Sequence, residues 1–152
     1  MSGAVPKISL GNLSQFRVAI ISASWHEQIC ADLIAGARRA LLEAKIEPEP
    51  VIFVPGSFEL PLAAQLSLDS GFDAAVVLGV VLRGETPHFD YVCQGVTQGV
   101  MDVSLSRSKP IGFGVLMCDN LEQATARAGL PGSKEDKGYD SALAALSVVN
   151  KG

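Results

Sequence analysis

The stretch Ala74-Ala75-Val76-Val77-Leu78-Gly79-Val80-Val81-Leu82 decides the fold of this chain. All nine of its residues are apolar or glycine, a pattern typical of a central parallel strand that is buried between two layers of helices. A helix that spans a membrane needs about 20 apolar residues, so this run is too short to cross a bilayer. The sequence therefore predicts a parallel sheet with this strand near its centre.

Strand-like and helix-like segments alternate on both sides of this run. Short β-branched segments predict three further strands, at residues 16–21, 50–54 and 111–117. Helical spacing predicts the connecting helices, at residues 24–44, 57–68, 87–106, 120–129 and 139–149. We expect one domain, residues 1–152, of α/β class: a three-layer sandwich in which a four-stranded parallel sheet is flanked by helices and wound by right-handed crossovers.

Three of these helices have recognisable start signals. Ser24 and Glu27 predict a capping box at the first helix. Thr86 is the predicted N-cap of the long helix, with Pro87 at its first helical position. Asn120 is the predicted N-cap of the short helix after the last strand.

The charge and the metal-ligating residues exclude several classes of function. A net charge of −4 argues against a nucleic acid or an anionic membrane as partner, since either needs a basic face. The cysteines, Cys30, Cys93 and Cys118, are odd in number and widely spaced, which indicates reduced thiols. His26 and His88 are the only histidines, so we expect no zinc site and no other metal.

The composition also bears on association and location. Charged residues make up 18% of the chain, against about 25% in ordinary soluble domains. The apolar surplus is more than one small globule can bury, which predicts self-association. Residues 1–10 lack the pattern of a secretory signal. With reduced cysteines, this predicts a cytoplasmic protein.

Three loops fall at the carboxyl ends of predicted strands, where sheets of this kind bind ligands. They are residues 23–25, 55–59 and 83–88. In the third loop a buried strand leads directly into a helix whose first turn carries His88, so free N–H groups and the helix dipole favour an anion such as phosphate. An imidazole there can accept and donate protons at neutral pH. The sequence contains neither a Walker A motif nor G-x-G-x-x-G, and a merely capping Thr86 beside a surface histidine remains an equal alternative.

Other candidates have ordinary explanations when taken singly. Trp25 could stack on a planar ring or pack in a core or interface. Glu59 could bind a ligand or only stabilise a helix start. By default Phe113 is a strand residue of the core, whereas Arg127 and Lys137 are surface charges.

Taken in order, the segments resemble one enzyme family. The matching blocks are VPGSFELP at 54–61, LGVVLRGETPHFDYVC at 78–93, GFGVL at 112–116, EQATARAG at 122–129 and DKG at 136–138. Over nearly the whole chain, from about residue 16, the sequence is similar to the 6,7-dimethyl-8-ribityllumazine synthase family. The most specific block is R-G-x-T-x-H-[FY]-[DE]-Y-V.

The resemblance implies a flavodoxin-like fold and a transferase that works without cofactor or metal. It would condense 5-amino-6-(D-ribitylamino)uracil with 3,4-dihydroxy-2-butanone 4-phosphate to 6,7-dimethyl-8-ribityllumazine, the penultimate step of riboflavin biosynthesis, releasing phosphate and water. His88 would shuttle protons, and the phosphate would be held by Glu85, Thr86 and Arg127. The residues that would bind the pyrimidine and its ribityl chain are Trp25, Ser57, Phe58, Glu59, Val80, Val81, Leu82, Phe113 and Lys137.

The resemblance also implies an assembly, because Phe113 and Lys137 would reach the site from a neighbouring subunit. Members of the family form pentamers, decamers or shells of sixty subunits. Pro6 would hinder an N-terminal segment from joining a neighbour's sheet, which favours the pentamer.

The sequence departs from the family pattern at three places. Trp25 replaces a more usual Phe and should preserve stacking. Glu85 puts a carboxylate beside the expected phosphate site, so its side chain should point outward. Gln94-Gly95 stands where Asn-Glu is frequent, a change that bears on the local helix packing and touches no residue with an assigned role.

Two other classes of function remain as alternatives. The chain could bind a flavin or lumazine without turning it over, or serve only as an assembly scaffold. An intact His88 and Arg127 argue against a pure binder, which needs no proton shuttle beside a phosphate clamp.

Overall fold

A computed structural model describes residues 3–151 of the chain, and the ends of the predicted domain, Met1, Ser2 and Gly152, lie outside the described residues. The strands are β1 (Val18–Ala23), β2 (Ile52–Val54), β3 (Ala74–Leu82) and β4 (Ile111–Cys118). The helices are α1 (Glu27–Glu43), α2 (Leu60–Asp69), α3 (His88–Arg107), α4 (Leu121–Thr125) and α5 (Lys137–Val148). A 3-10 turn, Ser57–Glu59, precedes α2.

The strands form one parallel sheet in the order β2-β1-β3-β4. This confirms the predicted α/β class, and the order is that of a flavodoxin-like sheet. The central strand β3 has the predicted bounds and is buried over its first seven residues. It pairs with β1 on one side and, from Ala75↔Ile111 to Leu82↔Cys118, with β4 on the other. The chain order reverses between β1 and β3, where such sheets bind ligands outside the strands' carboxyl ends.

The core lies in two layers, one on each face of the sheet. On one face, α1 and α5 bury a cluster that includes Leu33, Leu41 and Leu146. On the other face, α2 and α3 bury a cluster that includes Leu60 and Val96. Each fully buried side chain of this size stabilises the fold by about 1.5–3 kcal/mol relative to exposure. The two layers confirm the predicted three-layer sandwich.

The start of α1 differs from the prediction. The capping box of Ser24 with Glu27 is wrong, because Ser24 Oγ donates to the carbonyl oxygen of Val54 at 2.8 Å. His26 occupies the N-cap position in the left-handed conformation, with φ 57° and ψ 60°, and no side chain caps the helix. The chain turns sharply after β1, which places the serine against β2 instead of the helix. The predicted cap at Asn120 is confirmed, since its side chain accepts from the backbone N–H of Gln123 at 2.9 Å.

The helix predicted over 120–129 ends at Thr125 because the next residues pair with a distant segment. Ala128 forms an antiparallel bridge with Asp136. On either side of that bridge, Glu135 donates its backbone N–H to Ala126 O at 3.1 Å, and Lys137 donates to Arg127 O at 3.0 Å. We call this two-segment unit, residues 126–129 and 135–137, the clasp. The last helix consequently begins at Lys137, two residues before the predicted start.

The described residues 3–151 contain neither a candidate membrane span nor a candidate metal site. None of their helices combines the length and the apolar character that crossing a membrane requires. No group of three or more His, Cys, Asp or Glu side chains among them is arranged to hold a metal ion.

Candidate active site

An open cleft lies at the carboxyl ends of β1, β2 and β3, where the three predicted loops converge. Its volume is about 740 Å³. The lining is mostly apolar and aromatic with a few polar groups, as is typical of sites for small organic molecules. The lining residues are Trp25, His26, Gly56, Ser57, Phe58, Glu59, Val80, Val81, Leu82, Gly84, Thr86, His88, Phe89, Tyr91 and Val92.

One wall of the cleft is built from the ends of β1 and β2. Glu59 Oε1 accepts from the backbone N–H of Gly56 at 2.9 Å, which fixes the turn after β2. A Cβ on Gly56 would lie 3.4 Å from the indole Cδ1 of Trp25, at van der Waals distance, so that ring packs beside the turn. Trp25 itself is 69% exposed and lines the cleft.

The floor of the cleft carries a polar atom without a partner. Ser57 is 6% exposed, and its hydroxyl makes no hydrogen bond within the described part of the chain. A Cβ on Gly79 would lie 2.5 Å from that oxygen, so the glycine in β3 makes room for the serine. A buried hydroxyl without a partner costs about 1–3 kcal/mol, which a ligand that bonds to it would recover.

The opposite wall is the start of α3. His88 is its first residue, one position later than predicted, and Pro87 has helical backbone angles at the N-cap position. Thr86 Oγ1 accepts from the backbone N–H of His88 at 3.4 Å, a long contact in the direction the predicted cap requires. His88 is exposed and lines the cleft. The first turn of this long helix therefore offers N–H groups and the positive end of its dipole beside an imidazole.

Arg83 stabilises this wall through side-chain contacts. This residue was not selected by sequence reasoning. Its Nε donates to Asp119 Oδ1 at 2.9 Å, and its Nη1 lies 3.6 Å from Asp90 Oδ1. The guanidinium also lies 4.4 Å from the ring centre of Phe89. The hydrogen bond to Asp119 raises the pKa of Arg83. The arginine thus links the ends of β3 and β4 to the first turn of α3.

The cleft gathers nine of the thirteen predicted site residues: Trp25, Ser57, Phe58, Glu59, Val80, Val81, Leu82, Thr86 and His88. The other four, Glu85, Phe113, Arg127 and Lys137, do not line it. Glu85 is exposed in the loop before α3. Phe113 is 39% exposed on β4, one of the two edge strands of the sheet.

Arg127 and Lys137 lie together in the clasp with a carboxylate between them. Lys137 Nζ is 3.3 Å from Glu135 Oε2, and Arg127 Nε is 3.9 Å from the same oxygen. Arg127 Nη1 also donates to the carbonyl oxygen of Gln123 at 2.8 Å. The chain therefore holds a second polar group, separate from the cleft lining.

Several lining residues were missed by sequence reasoning. His26 follows Trp25 directly, and its left-handed backbone turns the chain into the cleft wall. Tyr91 and Val92 lie one turn after His88, a helical spacing that places them on the same wall. That spacing could have identified them, whereas the backbone conformation at His26 leaves no signal in the sequence.

The expectation that Gln94-Gly95 touches no site residue is wrong. A Cβ on Gly95 would lie 2.7 Å from Cε1 of Phe58, so the glycine packs against a ring that lines the cleft. The residue before it, Gln94, is exposed on the surface of α3.

Comparisons with known proteins identify the family of this chain. Residues 15–152 match the family described as 6,7-dimethyl-8-ribityllumazine synthase. Curated proteins of that name include one from Streptomyces coelicolor, 52% identical over 98% of this chain and 93% of the relative. The protein from Streptomyces avermitilis is 53% identical with the same coverage. The protein from Pseudarthrobacter chlorophenolicus is 56% identical over 98% of this chain and 96% of the relative. The chain belongs to the 6,7-dimethyl-8-ribityllumazine synthase family.

Proposed function

We propose that the cleft is the site at which this enzyme condenses 5-amino-6-(D-ribitylamino)uracil with 3,4-dihydroxy-2-butanone 4-phosphate. The product is 6,7-dimethyl-8-ribityllumazine, with phosphate and water released. The observation that carries the proposal is the convergence of Trp25, Ser57, Glu59 and His88 on one cleft at the start of α3. The aromatic side chain can stack on a planar ring, and the buried hydroxyl can bond to the polar edge of that ring. The carboxylate can bind a polyol chain, and the imidazole can transfer protons.

The pyrimidine would stack on Trp25 and bond through its polar edge to the Ser57 hydroxyl, which lacks a partner. The backbone of Val80, Val81 and Leu82, at the end of β3, would provide further hydrogen bonds along that edge. Phe58 would pack beside the ring. Glu59, already fixed by its bond to Gly56, would accept from ribityl hydroxyls.

The phosphate would lie at the first turn of α3, against the backbone of Glu85 and Thr86.

The amine of the pyrimidine attacks the ketone carbon, a C–N bond forms, and water leaves as the imine is made. Phosphate then departs with the C–O bond electrons as the adjacent carbon loses a proton, and the resulting enol becomes a ketone. The ribityl-bearing nitrogen attacks this second carbonyl, a C–N bond forms, and a second water leaves as the ring closes. His88 would transfer the protons that these steps move between nitrogen, carbon and oxygen. Proton transfer by one side chain increases the reaction rate by about 10²–10⁴-fold, and alignment of the two substrates provides the remaining rate enhancement.

We further propose that the complete site forms between copies of the chain. Phe113, Arg127 and Lys137 lie outside the cleft, so a neighbouring copy would supply them. The exposed apolar side chains of the α2 and α3 layer, such as Leu62, Leu66 and Leu105, would be covered by that contact. A homo-oligomer built on a pentamer in the cytoplasm is the assembly that we expect.

Turnover by the assembled protein tests the proposal. Purified protein is given both substrates, and the lumazine is followed by absorbance and fluorescence against the uncatalysed background. A rate above background that falls at least about 10²-fold in His88→Ala, with unchanged sedimentation, supports the proposed role.

Other results would contradict it. Wild-type kcat in His88→Ala would remove the proton-shuttle role. A chain that binds lumazine or riboflavin without turnover would be a binding module. An assembly of normal size in which His88→Ala alters neither rate nor ligand affinity would be a scaffold.

A further inference from the structure

The clasp sets the faces on which its side chains lie. Residues alternate between faces in paired extended segments. Ala128 and Asp136 are bridged to each other, and Ala128 is 1% exposed, so this pair occupies the inner face. Arg127, Glu135 and Lys137 therefore share the outer face, as their short side-chain distances also show. Pairing of the backbone thus brings two cations together across nine intervening residues.

Glu135 mediates between these cations. Its Oε2 is buried and makes no hydrogen bond in the described part of the chain, yet Lys137 Nζ lies 3.3 Å from it and Arg127 Nε lies 3.9 Å away. The side chains of Arg127, Glu135 and Lys137 are 35%, 27% and 29% exposed, so solvent screens the group only in part. Without the carboxylate, two adjacent positive charges would repel each other.

The guanidinium of Arg127 makes one hydrogen bond and one longer ionic contact. Nη1 donates to Gln123 O at 2.8 Å, and Nε lies 3.9 Å from Glu135 Oε2. Because the donors of a guanidinium have a fixed fork geometry, these two contacts together orient its remaining donors. An oriented fork loses less conformational entropy when it binds an anion.

We propose that Glu135 is a positioning residue that holds Arg127, with Lys137 beside it, in a preformed arrangement for the phosphate group of the substrate. The inference rests on the proposed function, in which both cations reach the site of a neighbouring copy. The trio keeps a net charge of +1, so an anion is still attracted. Glu135 acts through the two cations and makes no contact with the reacting atoms.

The test compares Glu135→Gln, which keeps the shape and removes the charge, with the wild-type assembly. We expect the KM for the phosphorylated ketone and the Kd for inorganic phosphate, measured by isothermal titration, to rise about 3- to 10-fold. The kcat should change less than about two-fold, because Glu135 makes no contact with the reacting atoms. Glu47→Gln removes the same charge from an exposed position and is the matched control.

A double variant tests whether Glu135 acts through Arg127. If it does, Glu135→Gln has little further effect on phosphate affinity in an Arg127→Ala background, whereas independent residues would have additive effects. Glu135→Ala provides a second variant, with the same expectation, should the glutamine form fail to assemble.

Two results would overturn the inference. They are unchanged or tighter phosphate binding in Glu135→Gln, and full additivity with Arg127→Ala. If the wild type has no turnover but binds phosphate, the proposed function fails, and the titrations still decide the role of Glu135. If the wild type binds no phosphate, the inference fails by itself.

Discussion

Glycines shape this cleft because their missing side chains leave room for the side chains of other residues. Gly79 leaves space for the Ser57 hydroxyl, and Gly95 leaves space for the Phe58 ring. The sequence could identify Ser57 and His88 as candidates, because their loops end strands and begin helices. It could not identify Gly95, since its role depends on how α3 is rotated against the turn after β2.

At this scale we predict that Gly95→Ala impairs substrate binding without weakening the fold. Alanine favours a helix over glycine by up to about 1 kcal/mol, so Tm should be unchanged or higher. The new methyl group would displace the Phe58 ring, which is 61% exposed and able to move. The KM for the pyrimidine should therefore rise by about 2- to 5-fold.

Steady-state kinetics and thermal denaturation of Gly95→Ala check this, with Gln98→Ala on the exposed surface of the same helix as control. A wild-type KM in Gly95→Ala would mean that the ring moves away from the cleft instead of into it.

At the scale of elements, patterning predicted the sheet well and the tertiary pairing poorly. β3 was predicted residue for residue, because a run that is apolar on both faces fits only a central parallel strand. The helix after β4 was predicted four residues too long, since residues 126–129 leave it to pair with 135–137. Local propensity carries no information about a partner segment, and this pairing is what assembles Arg127, Glu135 and Lys137.

The packing of α5 on α1 gives a prediction for stability. These helices meet backbone to backbone, and a Cβ on Gly138 would lie 2.1 Å from the carbonyl oxygen of Leu33. Since backbone must move to relieve that clash, Gly138→Ala should destabilise the fold by about 2–3 kcal/mol.

The measurement is Tm by calorimetry, with Gly11→Ala as control because a Cβ there meets nothing within 4 Å. We expect the control to change stability by less than about 0.5 kcal/mol. Equal Tm values for the two variants would contradict this prediction, because they would show that α1 and α5 can move apart without loss of stability.

At the scale of the whole molecule, the separation of the predicted residues into two groups is the main finding. The cleft holds the aromatic, hydroxyl and imidazole groups, while Arg127 and Lys137 lie in the clasp. The low content of charged residues indicated self-association, but composition does not say which surfaces meet. Docking of one copy against another depends on shape, which no local pattern encodes.

Mixed assemblies test the shared site. We predict that subunits carrying His88→Ala and subunits carrying Arg127→Ala, each nearly inactive at low substrate concentration, regain activity when co-assembled in equal amounts. If each site takes His88 from one copy and Arg127 from its neighbour, random assembly leaves about a quarter of the sites with both residues intact.

The matched control co-assembles His88→Ala with Trp25→Ala. These residues line the same cleft of one chain, so every site in that mixture retains one lesion and no activity returns. Recovery in the first mixture alone would place Arg127 across a subunit boundary. Equal recovery in both mixtures, or in neither, would contradict the shared site, because only a residue pair divided between copies can be reunited by mixing.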